Sequence, residues 1–146
     1  MKRRILVATD GSEAADRAVD YAVSLAKREG ADLLIANVIG GYGLPDGVFT
    51  RLIDASQASV KEMLDSISAE TLTKARERAR AAGADSIQLE SRMGEVAQTV
   101  IDIAKEKAVN AIVVGKRGAG PLEQLLLGSV SRKLASLAPV PVIVVP

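Results

Sequence analysis

The run Arg4-Ile5-Leu6-Val7-Ala8-Thr9, apolar through its middle, is closed by Asp10-Gly11-Ser12. A short apolar run without polar alternation marks a strand buried on both faces, and Asp-Gly-Ser is turn chemistry. Ser12 is placed to cap a following helix, with Glu13 and Asp16 favourable in its first turn. Ala15, Ala18, Val19, Ala22, Leu25 and Ala26 recur at i, i+3, i+4 spacing and predict one inward face. Lys27 and Arg28 suit the end of that helix, and Gly30 its termination. Buried strand, turn and amphipathic helix together form the opening unit of a parallel sheet.

The unit repeats along the chain. Leu33 to Val38 is a second apolar strand, and residues 39–49 are loop material by their Gly and Pro content, suited to a mobile lid. A helix is predicted from about Thr50 to Ala82, with Ile53, Val60, Met63, Leu64, Ile67, Ala75, Ala79 and Ala82 as its stripe. A strand is expected at 86–91, and a helix over 94–107 with Ala97, Val100, Ile101 and Ala104 inward. Ala111 to Val114 is a buried strand ending on Gly115. The last helix starts near Ser129 with Val130, Leu134 and Leu137 inward; Pro139 ends it, and Val140 to Pro146 supply the last strand. The reading is βαβαβαβαβ, an α/β doubly wound parallel sheet covered on both faces. Ligands in such sheets bind beyond the carboxyl ends of the strands, which directs attention to loops 10–13, 39–49, 92–94 and 115–129.

The chain has 146 residues, which predicts one domain spanning 1–146. It contains no His, no Cys and no Trp. These absences exclude a Ser-His-Asp triad, thiol catalysis and the usual zinc ligand sets. Any metal must be a hard cation on oxygen ligands. A formal charge of +1 gives no polyanion footprint, and few aromatics argue against base stacking, so no nucleic acid is expected as a partner. The basic start Lys2-Arg3-Arg4 is followed by too short an apolar run for a signal peptide, and no apolar stretch approaches the ~20 residues of a membrane span. A cytoplasmic protein without a membrane partner is the expectation.

Several phosphate motifs fail. Gly115-Lys116 is followed by Arg117, not Ser or Thr, and Asn110 stands where a P-loop has its first Gly. Gly41-Tyr42-Gly43 and Gly118-Ala119-Gly120 lack the third glycine of a dinucleotide fingerprint. A phosphoacceptor reading of Asp10 fails as well, since Ser91-Arg92 stands where the third strand would have to supply an Asp. What survives is Gly115-Lys116-Arg117-Gly118, then nine residues, then Gly128-Ser129. This spacing leaves a buried strand and enters a helix. Gly115 and Gly118 permit close backbone approach, and Gly128-Ser129-Val130-Ser131 offers amides and two hydroxyls at a helix N-terminus, a natural anion site. Lys116, Arg117, Arg132 and Lys133 add positive charge nearby. Asp10, at the end of the first strand, can cap its turn or touch a ribose, a base or a phosphate-bound Mg²⁺.

Over essentially its whole length the chain resembles the universal stress protein family, and its ATP-binding branch in particular. The resemblance rests on Ile5 to Ser12, on Asn110 to Gly118, on Leu125-Leu126-Leu127-Gly128-Ser129-Val130-Ser131 and on Pro139 to Val145. It implies a strand order of 3-2-1-4-5, as in adenine nucleotide alpha-hydrolase-like folds, with a nucleotide across the gap between strands one and four. Carried over by position, Ala8, Thr9 and Asp10 line the base and ribose side, and Val38 contacts adenine through its backbone. Val114, Gly115, Arg117 and Gly118 flank the ribose and phosphates, while Gly128, Ser129, Val130 and Ser131 hold the phosphates. The cofactor so implied is ATP, with Mg²⁺ carried by the nucleotide and touched by Asp10. A homodimer through the C-terminal strand is also implied, which would cover an apolar edge. Two positions depart from the pattern: Lys116 where a small polar residue is more usual, and Asn110 where Asp is common.

The function expected is that of a nucleotide-dependent regulator or sensor in stress response, with at most slow hydrolysis, because Asp10 is the sole obvious base. Two other readings stay open, a dimeric interaction module that is nucleotide-independent or binds cyclic AMP, and an adenylyl-transferring enzyme.

Overall fold

A computed structural model describes residues 2–40, 58–116 and 128–146 of the chain. The expected 39–49 loop beyond Gly40, the expected helical start over 50–57, and Arg117 and Gly118 lie outside these residues. Strand β1 (Arg4–Ala8) leads through Asp10-Gly11-Ser12 into helix α1 (Glu13–Glu29). The Ser12 hydroxyl accepts from the Ala15 amide at 3.2 Å, and Glu13 and Asp16 occupy the first turn. Both features answer the positive end of the helix. Along the chain then alternate β2 (Asp32–Ile39), α2 (Ala58–Ala81), β3 (Ile87–Met93), α3 (Val96–Glu106), β4 (Ala111–Gly115), α4 (Ser129–Leu137) and β5 (Val142–Val145).

The five strands form one parallel sheet in the order β3-β2-β1-β4-β5, the order the resemblance implied. Val7 lies opposite Ile35 on one side and Val113 on the other, so β1 is central. Successive residues alternate faces. Ile5, Val7 and Ile35 pack under α1 and α2 with Val19, Leu72 and Ala79. Leu6, Leu34 and Ile112 pack under α3 and α4 with Val100, Ile103 and Leu134. Two helices per face leave the strand order reversing between β1 and β4, and there the loops diverge to opposite sides of the sheet.

Several predicted faces are corrected. In α1 Val23 is buried and Leu25 only partly so, because Val23 continues the i+4 row from Val19. In α2 Met63 and Ile67 are exposed at 56% and 54%, and Ala82 is exposed too. The row that turns inward is Ser68, Leu72, Ala75 and Ala79. Leu137 of α4 points outward while Leu134 is fully buried. Strand β3 runs on to Met93 because it stays paired with Ile39 of β2, and β5 begins at Val142 rather than Val140.

The two sheet edges differ in kind. On the β3 edge Arg92 meets Glu90 at 2.8 Å and also pairs with Glu106, whose carboxyl it holds below the usual carboxylate range. Charge of this kind discourages pairing with another chain. The β5 edge is Val142-Ile143-Val144-Val145, half-buried and without charge. Among the described residues no helix is long and apolar enough to cross a membrane.

Leu134 seats α4, a helix of nine residues whose other buried residue is Ser131. Leu134→Ala is expected to cost about 2–5 kcal/mol, read as a lowered midpoint in urea unfolding.

Candidate functional site

The reversal of strand order opens a crevice at the carboxyl ends of β1 and β4. The turn that leaves β1 is held from several directions. Thr9, which is 5% exposed, donates its amide to the Ala36 carbonyl at 2.9 Å. Its hydroxyl accepts from the Gly11 amide at 3.1 Å, and the Asp10 carboxylate accepts from the Ser12 amide at 2.9 Å. Gly11 sits at φ +82, a conformation that a side chain disfavours. Asp10 is exposed and its carboxylate is part of the turn, in keeping with the turn-capping role read from the sequence.

Across the crevice stands the start of α4. Its N-cap is Gly128, with φ −63 and no side chain to cap with, so Ser129 is the first helical residue and not the cap. The helical ladder begins where the Arg132 amide donates to the Gly128 carbonyl at 3.0 Å. The amides of Ser129, Val130 and Ser131 precede that bond and point out of the positive end of the helix. The contrast with two other helices is instructive. Ser12 caps α1, and the Glu95 carboxylate caps α3 by accepting from the Ala97 and Gln98 amides at 3.3 and 2.6 Å.

Backbone contacts fasten this helix end to β4. The Gly128 amide donates to the Lys116 carbonyl at 2.9 Å, and the Lys116 amide to the Val145 carbonyl. The buried Ser131 hydroxyl donates to the Gly115 carbonyl at 2.7 Å and also reaches the Lys116 carbonyl at 3.2 Å. A hydroxyl has one proton. In this arrangement Ser131 ties α4 to β4, and the exposed Ser129 is the hydroxyl on the solvent side. Gly115 has a structural reason as well. A Cβ there would lie 2.8 Å from the Ala14 backbone carbon, so it is the first turn of α1, more than a ligand, that demands glycine.

Ala8, Val38 and Val130 form a half-buried apolar rim over buried Val114 on the α3 and α4 side. Thus ten of the twelve residues singled out in the sequence gather at this edge, the other two being Arg117 and Gly118. Asn110 does not. Its side chain accepts from the Arg4 amide at 2.8 Å at the amino end of the sheet, so this departure from the family pattern leaves the crevice untouched. On the other face, a cleft of about 460 Å³ between α1 and α2 shares the Thr9-Asp10-Gly11 turn. Its cations are matched by carboxylates: Lys74 meets Glu70 at 3.1 Å, and Arg78 holds Asp20 through two bonds of 2.8 and 2.9 Å. At α4 the first amides have no acidic cap among the described residues. Among the described residues no cluster of three or more acidic side chains could hold a metal ion.

Sequence reading missed one set of residues here, Asn37, Ser68 and Ser91. The signal was available: Asn37 interrupts an otherwise apolar buried strand, and a buried amide must find partners.

Fold and crevice define a doubly wound α/β domain with an anion-receptive helix end at its switch point. Comparison with known proteins narrows that class. The family model for the universal stress protein family matches residues 1–146, and the chain belongs to that family. It is 34% identical to the universal stress protein YxiE of Bacillus subtilis, covering 99% of both chains. A universal stress protein solved in complex with cAMP superposes with a TM-score of 0.74 at 29% identity, covering 99% of this chain and 97% of that one. The universal stress protein of Archaeoglobus fulgidus in complex with dAMP gives a TM-score of 0.69 at 28% identity, covering 99% and 98%.

Because the Gly115 contact is with backbone, it cannot be relieved by a rotamer change. Gly115→Ala is expected to destabilise the protein by about 1–3 kcal/mol through overpacking, measured by denaturant titration.

Proposed function

We propose that the protein binds ATP, with Mg²⁺ on the phosphates, and works as a cytoplasmic, nucleotide-dependent regulator or sensor in stress response. What supports this reading is the start of α4, where no side chain among the described residues caps the first amides and Ser129 is exposed. Two similar proteins, solved with cAMP and with dAMP, hold adenine nucleotides, which supports an adenine-sized ligand in the same fold. In this reading Ala8, Thr9, Asp10 and the Val38 backbone take the base and ribose. Val114, Gly115, Arg117 and Gly118 flank the ribose and phosphates, and Gly128 to Ser131 hold the phosphates. Turnover is slow at most, because the chain offers neither imidazole nor thiol to activate water.

The cAMP-bound relative favours one second reading, a module that responds to the cyclic nucleotide. Calorimetry separates the two. Wild type is expected to bind ATP-Mg²⁺ with micromolar affinity and more tightly than cAMP. Gly128→Glu, which puts a carboxylate where the phosphates would lie, should weaken ATP at least tenfold. Absence of binding below millimolar, or equal binding by the variant, refutes the ATP reading.

We also propose a homodimer paired through β5. The Ile112 amide donates to the Pro141 carbonyl and the Lys116 amide to Val145, so the odd-numbered carbonyls of β5 face β4. By alternation Val142 and Val144 present their backbone groups to the open edge. Val144→Pro removes one outward amide without touching the β4 ladder. Light scattering is expected to report a dimer for wild type and a monomer for this variant.

A further inference from the structure

Asn37 lies near the carboxyl end of β2 and is 9% exposed, and its side-chain amide bonds through both its nitrogen and its oxygen. Its side-chain nitrogen donates to the Thr9 carbonyl at 2.8 Å. Its side-chain oxygen accepts from the Ser68 hydroxyl of α2 at 2.6 Å, and Ser68 pairs with the Ser91 hydroxyl of β3 at 2.7 Å. Donor capacity fixes every proton. A carbonyl can only accept, so the Asn37 amide nitrogen must face Thr9 and its oxygen Ser68. The one proton of Ser68 goes to Asn37, so Ser91 must donate to Ser68. A directed chain of hydrogen bonds thus runs from β3 through α2 and β2 to the carboxyl end of β1.

That chain ends on the peptide that joins Thr9 to Asp10. The Thr9 amide is tied to Ala36, its hydroxyl receives the Gly11 amide, and its carbonyl receives Asn37. Asn37 therefore sets the plane of the Thr9–Asp10 peptide from the carbonyl side. Loss of that restraint would free ψ of Thr9 and φ of Asp10, the torsions that set how the Asp10 side chain leaves the chain, and only the Ser12 amide would then hold its carboxylate in the turn.

We propose that Asn37 is a positioning residue that aims Asp10 at the ribose of the bound nucleotide, and so helps the protein distinguish ribose from deoxyribose. The proposal rests on the nucleotide reading above and deepens it. Loss of the Asn37 donor leaves a buried carbonyl without its partner and frees the peptide to turn. Loss of Ser68 removes a bond of the same chain but leaves the Asn37 donor in place.

Calorimetry of the full chain with ATP and with 2′-deoxy-ATP tests this, using wild type, Asn37→Asp, Asn37→Ser and Ser68→Ala, with melting temperatures alongside. Asn37→Asp keeps an acceptor for Ser68 but has no amide donor for Thr9, whereas Asn37→Ser avoids a buried charge should the first variant fail to fold. Wild type is expected to favour ATP about tenfold, the scale of one hydrogen bond to a charged group. Both Asn37 variants should bring that ratio to within about twofold, mainly by weakening ATP. Ser68→Ala should lower the melting temperature and keep the ratio. A wild type that binds neither nucleotide overturns the nucleotide reading, and the role of Asn37 with it. Binding without sugar discrimination in wild type overturns the role of Asn37 alone. The same follows if discrimination persists in the Asn37 variants, or if Ser68→Ala loses it equally.

Discussion

Parallel pairing of β1 with β2 on one side and β4 on the other is the constraint on which the rest of the molecule depends. With β1 between them, the chain leaves β1 toward the α1 face and leaves β4 toward the α4 face. Two loops that start side by side must then separate, and the crevice is the space this separation leaves. No side chain creates it. The requirement is topological, and side chains then adjust how closely the walls approach. Gly115 shows the adjustment most clearly, since the first turn of α1 presses against it at a distance no Cβ would tolerate.

The two walls are held by different means. On the α4 side the fastening is mostly backbone: Gly128 to Lys116 and Lys116 to Val145, with Ser131 as a hydroxyl pin to the Gly115 carbonyl. These bonds leave the first amides of α4 unclaimed by their own helix. On the β1 side the fastening runs through side chains, from Ser91 and Ser68 through Asn37 to Thr9. Ser68 and Asn37 are buried and Ser91 is exposed, and buried polar links of this sort hold firmly when satisfied and cost heavily when one is lost. The α4 wall depends on the seating of Leu134.

How much of this was legible in the sequence follows from where polar residues sit. Continuous apolar strands, Ser12 at a helix start and helical stripes such as Ala97, Val100, Ile101 and Ala104 carry their own signal, and all of these form as read. The strand order came from family resemblance, because parallel strands of similar composition do not encode which neighbour each will take. The inner face of α2 was misread for a physical reason. An apolar search follows Met63 and Ile67, whereas the buried row starts at Ser68, whose hydroxyl is satisfied by Asn37 and Ser91. Until the partner strands are in place, nothing in the helix marks that serine as interior. The close packing that Gly115 permits was not legible, since its neighbour Ala14 is remote in sequence and comes close only through the fold.

The absence of His and Cys acquires a further sense once the crevice is seen. Histidine is the side chain whose ordinary pKa lies between pH 5 and 8, and thiols titrate not far above. Neither exists in this chain, and the donors at the start of α4 are backbone amides, which do not titrate in water. No imidazole or thiol therefore adds a proton equilibrium to the crevice in the neutral range.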